Sequence, residues 1–252
     1  MSEFTWETKI TKIEPNKLTV RGHKLDELIG KAKYSDMVYL LLKGNFPNQE
    51  VSNIFEAILV SSVDHGVTPP STIAARTSAS SGAPINAALA AGILTINKHH
   101  GGAIENCMNT LINIKNITKG NDLKLEEYIQ KLVKENRANK IRFSGFGHRI
   151  HTDDPRTKKL FEIAEKNNIC KTYFQIIRCL EITIEKEYGK KLPINVDGAI
   201  AAILCELDFN SKLANAFFII SRLPGLCAHI QEEYSMKPMR TIVPKEAEYT
   251  GK

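Results

Sequence analysis

Beyond residue 22 the chain is a succession of helix starts, apolar stretches of helical period and helix stops, with no alternating strand pattern between them. No other feature restricts the fold as much. A nucleotide-binding sheet needs strands that alternate with helices, and a chain without them cannot build one. The expected class is all-α, with one small exception at the N-terminus. Ser35 is placed to cap a helix over Asp36 to Lys43, which Gly44 would stop. Asn48 opens a helix to about Val63, and Ser71 is read as the cap of Thr72 to Ser81. Pro84 opens an Ala-rich helix over 84–97, whose small residues suit a central, fully buried helix or a subunit interface. Helices follow from Gly102 to Ile114, from Leu125 to Asn136, and over about 155–167, 170–188, 196–207, 211–222 and 224–235. Asn116 to Asp122 reads as a polar break, and 236–252 as an irregular tail. Residues 5–22 alternate, which predicts a small N-terminal β-hairpin turning at Glu14-Pro15-Asn16.

A length of 252 residues is enough for one large domain or two lobes around a substantial core. The net charge of +6 and pI near 9.0 suit an acidic small ligand. They do not point to nucleic acid, since the 34 basic residues form no run and have no stacking aromatics interleaved with them. No apolar run reaches the ~18 residues of a membrane span, so no membrane contact is expected. Residues 1–10 lack the apolar centre of a signal peptide. The five cysteines (Cys107, Cys170, Cys179, Cys205, Cys227) are scattered, mostly inside apolar helical patterns. That fits reduced thiols and a cytoplasmic location. With no CxxC pair and no His pair at i,i+4, no metal site is expected.

Four places put reactive side chains beside turn residues. The first is Gly145-Phe146-Gly147-His148-Arg149, followed by Asp154-Pro155-Arg156 at a helix start. There an imidazole and two guanidinium groups meet free backbone N–H groups, which suits a polyanionic small molecule. The others are Asp64-His65-Gly66, His99-His100-Gly101-Gly102, and Asn195-Val196-Asp197-Gly198. Each has an ordinary structural reading. The loop is equally a solvated basic turn, His65 a helix C-cap, His99 and His100 exposed turn histidines, and Asp197 a helix cap. Together they form a chemical inventory. A carboxylate in apolar surroundings can act as a base, imidazoles can donate to a developing oxyanion, and arginines can grip carboxylates. That suits proton transfer at a carbon next to a carbonyl.

These residues, in this order, resemble the citrate synthase superfamily. Arg21-Gly22-His23 with Leu25-Asp26-Glu27-Leu28, Lys43-Gly44-Asn45-Phe46-Pro47, Asp64-His65, His100-Gly101-Gly102-Ala103, Gly147-His148-Arg149, Asp154-Pro155-Arg156, Asn195-Val196-Asp197-Gly198 and Ser221-Arg222 follow that family's succession of motifs. The resemblance implies an all-α, two-domain citrate synthase-like fold, divided as 1–104, 105–207 and 208–252, with the first and last parts joined in the larger domain. It also implies site roles. His100 would stabilise the enolate of acetyl-CoA, Asp197 would move the proton on its methyl carbon, and His148 would serve the oxaloacetate oxygen. His65, Arg156 and Arg222 would hold the substrate carboxylates, while Gly145, Phe146, Gly147 and Arg149 would lie along coenzyme A. No metal and no permanently bound cofactor is implied; the coenzyme A thioester is a substrate.

The stretch between Pro47 and Asp64 holds little more than one helix, where full-length synthases carry several. The same short connection is found in the small citryl-CoA lyases and in the C-terminal module of ATP-citrate lyase. It points to citryl-CoA lyase activity, cleaving citryl-CoA to acetyl-CoA and oxaloacetate by a retro-Claisen-type reaction. ATP-citrate lyase has an aromatic residue at the place of His100, so the synthase-like imidazole keeps a short citrate or 2-methylcitrate synthase as the alternative. A non-catalytic CoA-binding or assembly subunit is a third reading. In the tail, Arg240 and Lys245 are the cations nearest the place of a further synthase arginine, and Tyr249-Thr250-Gly251 resembles the synthase ending. The expected assembly is a homodimer or homotetramer, with a citryl-CoA synthetase as a further partner.

Overall fold

A computed structural model describes residues 5–119, 121–147 and 154–239. His148, Arg149 and His151 lie outside the described residues, as do Arg240, Lys245 and the Tyr249-Thr250-Gly251 ending. The fold is mostly helical. Instead of a two-stranded hairpin, the N-terminus forms a three-stranded antiparallel sheet of β1 (Thr11–Glu14), β2 (Lys17–Val20) and β3 (His23–Lys24). Its register pairs Ile13 with Leu18 and Val20 with His23. Trp6 and Ile10 fall outside the strands. Gly22 at φ +86° lets the chain double back a second time, which adds the short third strand.

Eleven α-helices follow among the described residues. Short α1 (Leu25–Leu28) leads to α2 (Tyr34–Lys43), α3 (Gln49–Ser61), α4 (Pro70–Ser80) and α5 (Ile85–Ile93). Next come α6 (Ala103–Thr118), α7 (Asp122–Ala138), α8 (Pro155–Lys166), α9 (Thr172–Tyr188), α10 (Val196–Glu206) and α11 (Ala214–Tyr234). Asn48, Asn121, Asp154 and Asn195 cap their helices by accepting a backbone N–H two or three residues ahead. Gly44 stops α2 in the left-handed conformation. Two expected serine caps are corrected. Ser35 and Ser71 lie inside the first turns of α2 and α4, each buried, while Lys33 and Pro69 occupy the cap positions. A proline at N1 needs no donor of its own, so Pro70 begins α4 two residues earlier than a cap at Ser71 would. The polar break is also shorter than expected, because α6 runs on to Thr118.

The fully buried helix is α10 rather than the Ala-rich one. From Gly198 to Cys205 every residue of α10 is buried. Such an all-round apolar helix needs partners on all sides, and α6, α8 and α9 supply them. Helix α5 ends at Ile93 and buries only Ala88 and Gly92. Its contact face rests on α4 and α11. A Cβ on Gly92 would come 2.9 Å from the Ser71 carbonyl, so the α4–α5 approach needs that glycine.

The segments 211–222 and 224–235 are one helix. Pro224 sits inside α11 on its exposed side. Phe217, Phe218, Ser221, Arg222, Gly225, Leu226, Ile230 and Glu233 form a continuous buried stripe through it. That packing outweighs the local cost of a helical proline, about 3 kcal/mol. Joined in this way, Ser211–Tyr234 spans 24 residues and holds an 18-residue window of mean hydropathy 1.4, enough by length and composition alone to cross a membrane. This corrects the expectation that no apolar run was long enough. The helix carries Arg222 and Glu233 on its buried face and packs on α3, α4, α5 and α6, as a core helix does. An aromatic cluster of Tyr39, Phe55, Phe209 and Phe217, with ring centroids 4.8–5.9 Å apart, ties α2 and α3 to its first half.

Candidate active site

The helix ends converge on a cleft of about 560 Å³. It is lined by His65, His100, Gly147, Arg156, Asp197 and Arg222, residues from five regions spread over more than 150 positions in the chain. Ser62, Lys98, His99, Asn195 and Phe218 complete much of the wall. Gly145 and Phe146 do not line it. Phe146 bridges to Ile194 and packs edge-on against Phe143. Gly145, at φ +88°, lets its backbone press against α10: a Cβ there would be 2.8 Å from Cys107 Sγ and 2.9 Å from the Gly198 Cα.

Asp197 stands in the first turn of α10. Asn195 holds the local geometry: its side-chain oxygen accepts from Gly198 N at 3.1 Å, and its Nδ2 donates to the Gly147 carbonyl at 2.8 Å. One asparagine thus fixes the helix start and the Gly loop together. The carboxylate faces the cleft from a helix that is apolar from Gly198 to Cys205. Burial, reinforced by the neighbouring Asp154, pushes its pKa up to about 6, against the pull of Arg156 and Arg222. A carboxyl group so tuned exchanges a proton near neutral pH.

His100 sits in a tight turn, where its N–H and C=O both pair with Asn97 at 3.0 and 2.7 Å. Gly101 follows at φ +89°, and a Cβ on it would strike Ile96 at 2.8 Å. The imidazole is fixed on two sides. Its Nε2 lies 2.8 Å from Ser71 Oγ, and its edge meets Phe218 with centroids 5.6 Å apart. Burial, then the charges of Arg222 and His65, hold its pKa below the usual value. The neutral ring is thereby favoured, a form that can donate one hydrogen bond without carrying charge. Ser71 was legible only as a helix cap. Its role beside His100 depends on α4 and the 97–101 turn meeting, and no sequence spacing encodes that.

The two arginines differ. Arg156 is engaged by Asp154, with Nε and Nη2 donating at 3.0 and 2.8 Å, while Asp154 also accepts the Arg156 backbone N–H at 3.0 Å. The N-cap carboxylate therefore aims the guanidinium from the first turn of α8. Arg222 donates Nε to the Ser62 carbonyl at 2.9 Å and stacks over Phe218 at 4.8 Å. Its Nη1 is buried with no hydrogen-bond partner among the described residues. An unpaired guanidinium N–H in a cleft is a preformed place for a carboxylate oxygen.

A mostly helical fold with a small N-terminal sheet, whose polar groups gather where separate helix ends meet, defines the class. The family model described as "Citrate synthase, C-terminal domain" matches residues 47–245. The chain belongs to the citrate synthase family. "Citrate synthase 2" of Bacillus subtilis is 32% identical over 216 residues, covering 83% of this chain and 54% of that protein. The citrate synthase of Saccharolobus solfataricus is 32% identical over 213 residues, covering 81% and 53%. The chain thus spans about half the length of these curated relatives. Among solved structures, the citryl-CoA lyase from Hydrogenobacter thermophilus superposes with a TM-score of 0.88 at 39% identity, covering 98% of this chain and 95% of that one. The ATP citrate lyase from Methanothrix soehngenii, in complex with citrate and coenzyme A, shares the fold (TM-score 0.82, 21% identity, 98% and 43% covered).

Proposed function

We propose that this protein is a citryl-CoA lyase, cleaving citryl-CoA to acetyl-CoA and oxaloacetate. The observation that carries the reading is the similarity to the H. thermophilus citryl-CoA lyase, at 39% identity and a TM-score of 0.88 over 98% of this chain, against 32% identity to the synthases. The cleft's chemistry is consistent with it. The bond to be broken joins the carbinol carbon to the carbon next to the thioester, so the step is strictly a retro-aldol cleavage. In the proposed sequence His148 accepts the hydroxyl proton as the carbinol becomes the ketone of oxaloacetate. The bonding pair passes to the thioester enolate, whose oxygen accepts a hydrogen bond from His100. Asp197, protonated, then delivers a proton to the enolate carbon, forming acetyl-CoA. His65, Arg156 and Arg222 hold the carboxylates, and the Gly145–Arg149 loop follows coenzyme A. Each group acts where charge appears or disappears.

Condensation is the second reading, favoured by the roughly 30% identical synthases and the intact His100. The test supplies citryl-CoA and follows oxaloacetate, then supplies acetyl-CoA with oxaloacetate and follows free thiol. The lyase reading predicts rapid oxaloacetate release; thiol release without citryl-CoA cleavage overturns it. Binding of coenzyme A with no turnover in either assay assigns a non-catalytic role instead. The reading includes a homo-oligomer joined through the exposed side of α5.

A further inference from the structure

Asp64 and His229 lie beside the cleft and take no part in the chemistry just proposed. Asp64 immediately precedes His65. Its carboxylate accepts the Gly66 N–H at 2.9 Å, and the His65 N–H also donates to it. The same carboxylate meets His229 Nε2 of α11 at 2.9 Å. On the other side of the ring, His229 Nδ1 lies 3.4 Å from Arg76 Nη1. Arg76 is buried in α4, where Glu233 and Glu232 hold it at 2.8 and 2.6 Å. An arginine can only donate. Nδ1 opposite it is therefore the acceptor, and the ring proton stands on Nε2, facing Asp64.

We propose that Asp64 and His229 form a positioning pair that sets His65 in the substrate-carboxylate site, with Arg76 selecting the tautomer that makes the pair. The inference rests on the role given to His65 above. The line of groups runs from the α4–α11 ion pair through one imidazole to the backbone on either side of His65. Carboxylates that accept several N–H bonds hold a turn in one conformation, and the charge strengthens each bond. The surroundings are built for close approach. A Cβ on Gly225 of α11 would collide with the Val63 carbonyl and stand 3.0 Å from Asp64 Oδ1, so glycine lets the helix come against this turn. Burial pushes the Asp64 carboxyl up, yet the N–H groups of Gly66 and His65, together with His229, hold it below the usual range. His229 is not needed to satisfy Arg76, because both glutamates already do so. Its removal should spare the α4–α11 contact and loosen the turn.

The test compares His229→Leu with His229→Gln, whose amide N–H reaches about as far as Nε2. Hydrogen exchange of the 63–67 segment is read on the free protein. His229→Leu should speed exchange there by about tenfold, the loss of one charge-assisted bond, with α4 and α11 unchanged and His229→Gln close to wild type. In the citryl-CoA assay His229→Leu should raise KM by about tenfold with kcat within about twofold, and Gln should restore most of it. Unchanged exchange at 63–67 in His229→Leu overturns the proposal. So does equal acceleration across α4, α11 and the turn, which marks a general structural role. A wild-type protein that cleaves no citryl-CoA overturns the lyase reading alone, because the exchange experiment uses no ligand.

Discussion

In the proposed reaction, Asp197 is the titrating group that moves the proton at carbon. With its pKa raised to about 6, its acid form thins out above that pH. Protonating an enolate needs the acid form, so kcat/KM for cleavage should fall as pH rises through about 6. Condensation is the same step run backwards with no net proton taken up, so its kcat/KM should share that limb. A cleavage kcat/KM that is flat or rises through about pH 6 would remove Asp197 from the proton-transfer role. The shift also bears on stability. A carboxyl whose pKa is raised from 3.8 to about 6 on folding contributes stability below pH 3.8 that is lost by about pH 6. At pH 7.5 the charged form therefore costs the fold at most about 3 kcal/mol. Asp197→Asn should abolish turnover while leaving Tm at pH 7.5 equal to or above wild type; a marked drop in Tm would contradict the burial argument. Asp154 acts on the same site from the next helix. It aims Arg156 and raises the Asp197 proton affinity. Asp154→Asn should raise substrate KM by about tenfold, for a weakened charge-assisted pair, and move the Asp197 limb to lower pH.

At the scale of elements, the site is a set of helix ends held by close backbone contacts. The start of α10 and the 145–147 loop are locked together: Gly147 N donates to the Pro193 carbonyl at 2.7 Å and Asn195 N to the Gly145 carbonyl at 3.0 Å. A Cβ on Gly198 would collide with the Gly145 carbonyl and lie 2.9 Å from Ile194 Cγ2. Gly198→Ala should therefore push Asp197 and the loop apart, lowering turnover by at least about tenfold, and Tm with it. Wild-type turnover in that variant would show that the contact is not needed. Helix α11 gives a prediction of the opposite sign. Pro224 forfeits a helical hydrogen bond on an exposed face without a packing role that needs a ring, and Pro224→Ala should raise Tm by a few degrees.

For the whole molecule, the stripe of Asn86, Ala87 and Ala90 on α5, with Leu94 at its C-cap, is exposed, Leu94 being 78% accessible. Small residues along one helix let a second copy approach closely, which suits the expected oligomer. Light scattering should give a mass of at least two chains, and Ala90→Arg should halve it; a wild-type monomer would rule out this interface. How much of the molecule the sequence discloses follows from the range of the forces involved. Helix existence was legible because caps, glycine stops and the 3.6-residue period act within a few residues: Asn48, Gly44 and Asp154 are where they should be. The family was legible because its motifs are short and ordered. Sequence reading misassigned Ser35, Ser71 and Pro224, where a local preference yields to burial against distant helices.

The sequence alone determined the helical class, the set of reactive side chains and the family, each a matter of residue type and short spacing. Only the tertiary structure decided that α10, not α5, is the buried helix, since an Ala-rich stretch fits either place until its neighbours are known. It decided that Asp197 is surrounded by enough apolar volume to titrate near 6. It also decided that Ser71 serves His100 and that His229 meets Asp64, pairs 29 and 165 residues apart along the chain. Contacts at such separations come from how helices pack, and packing is a property of the assembled core that no local stretch contains.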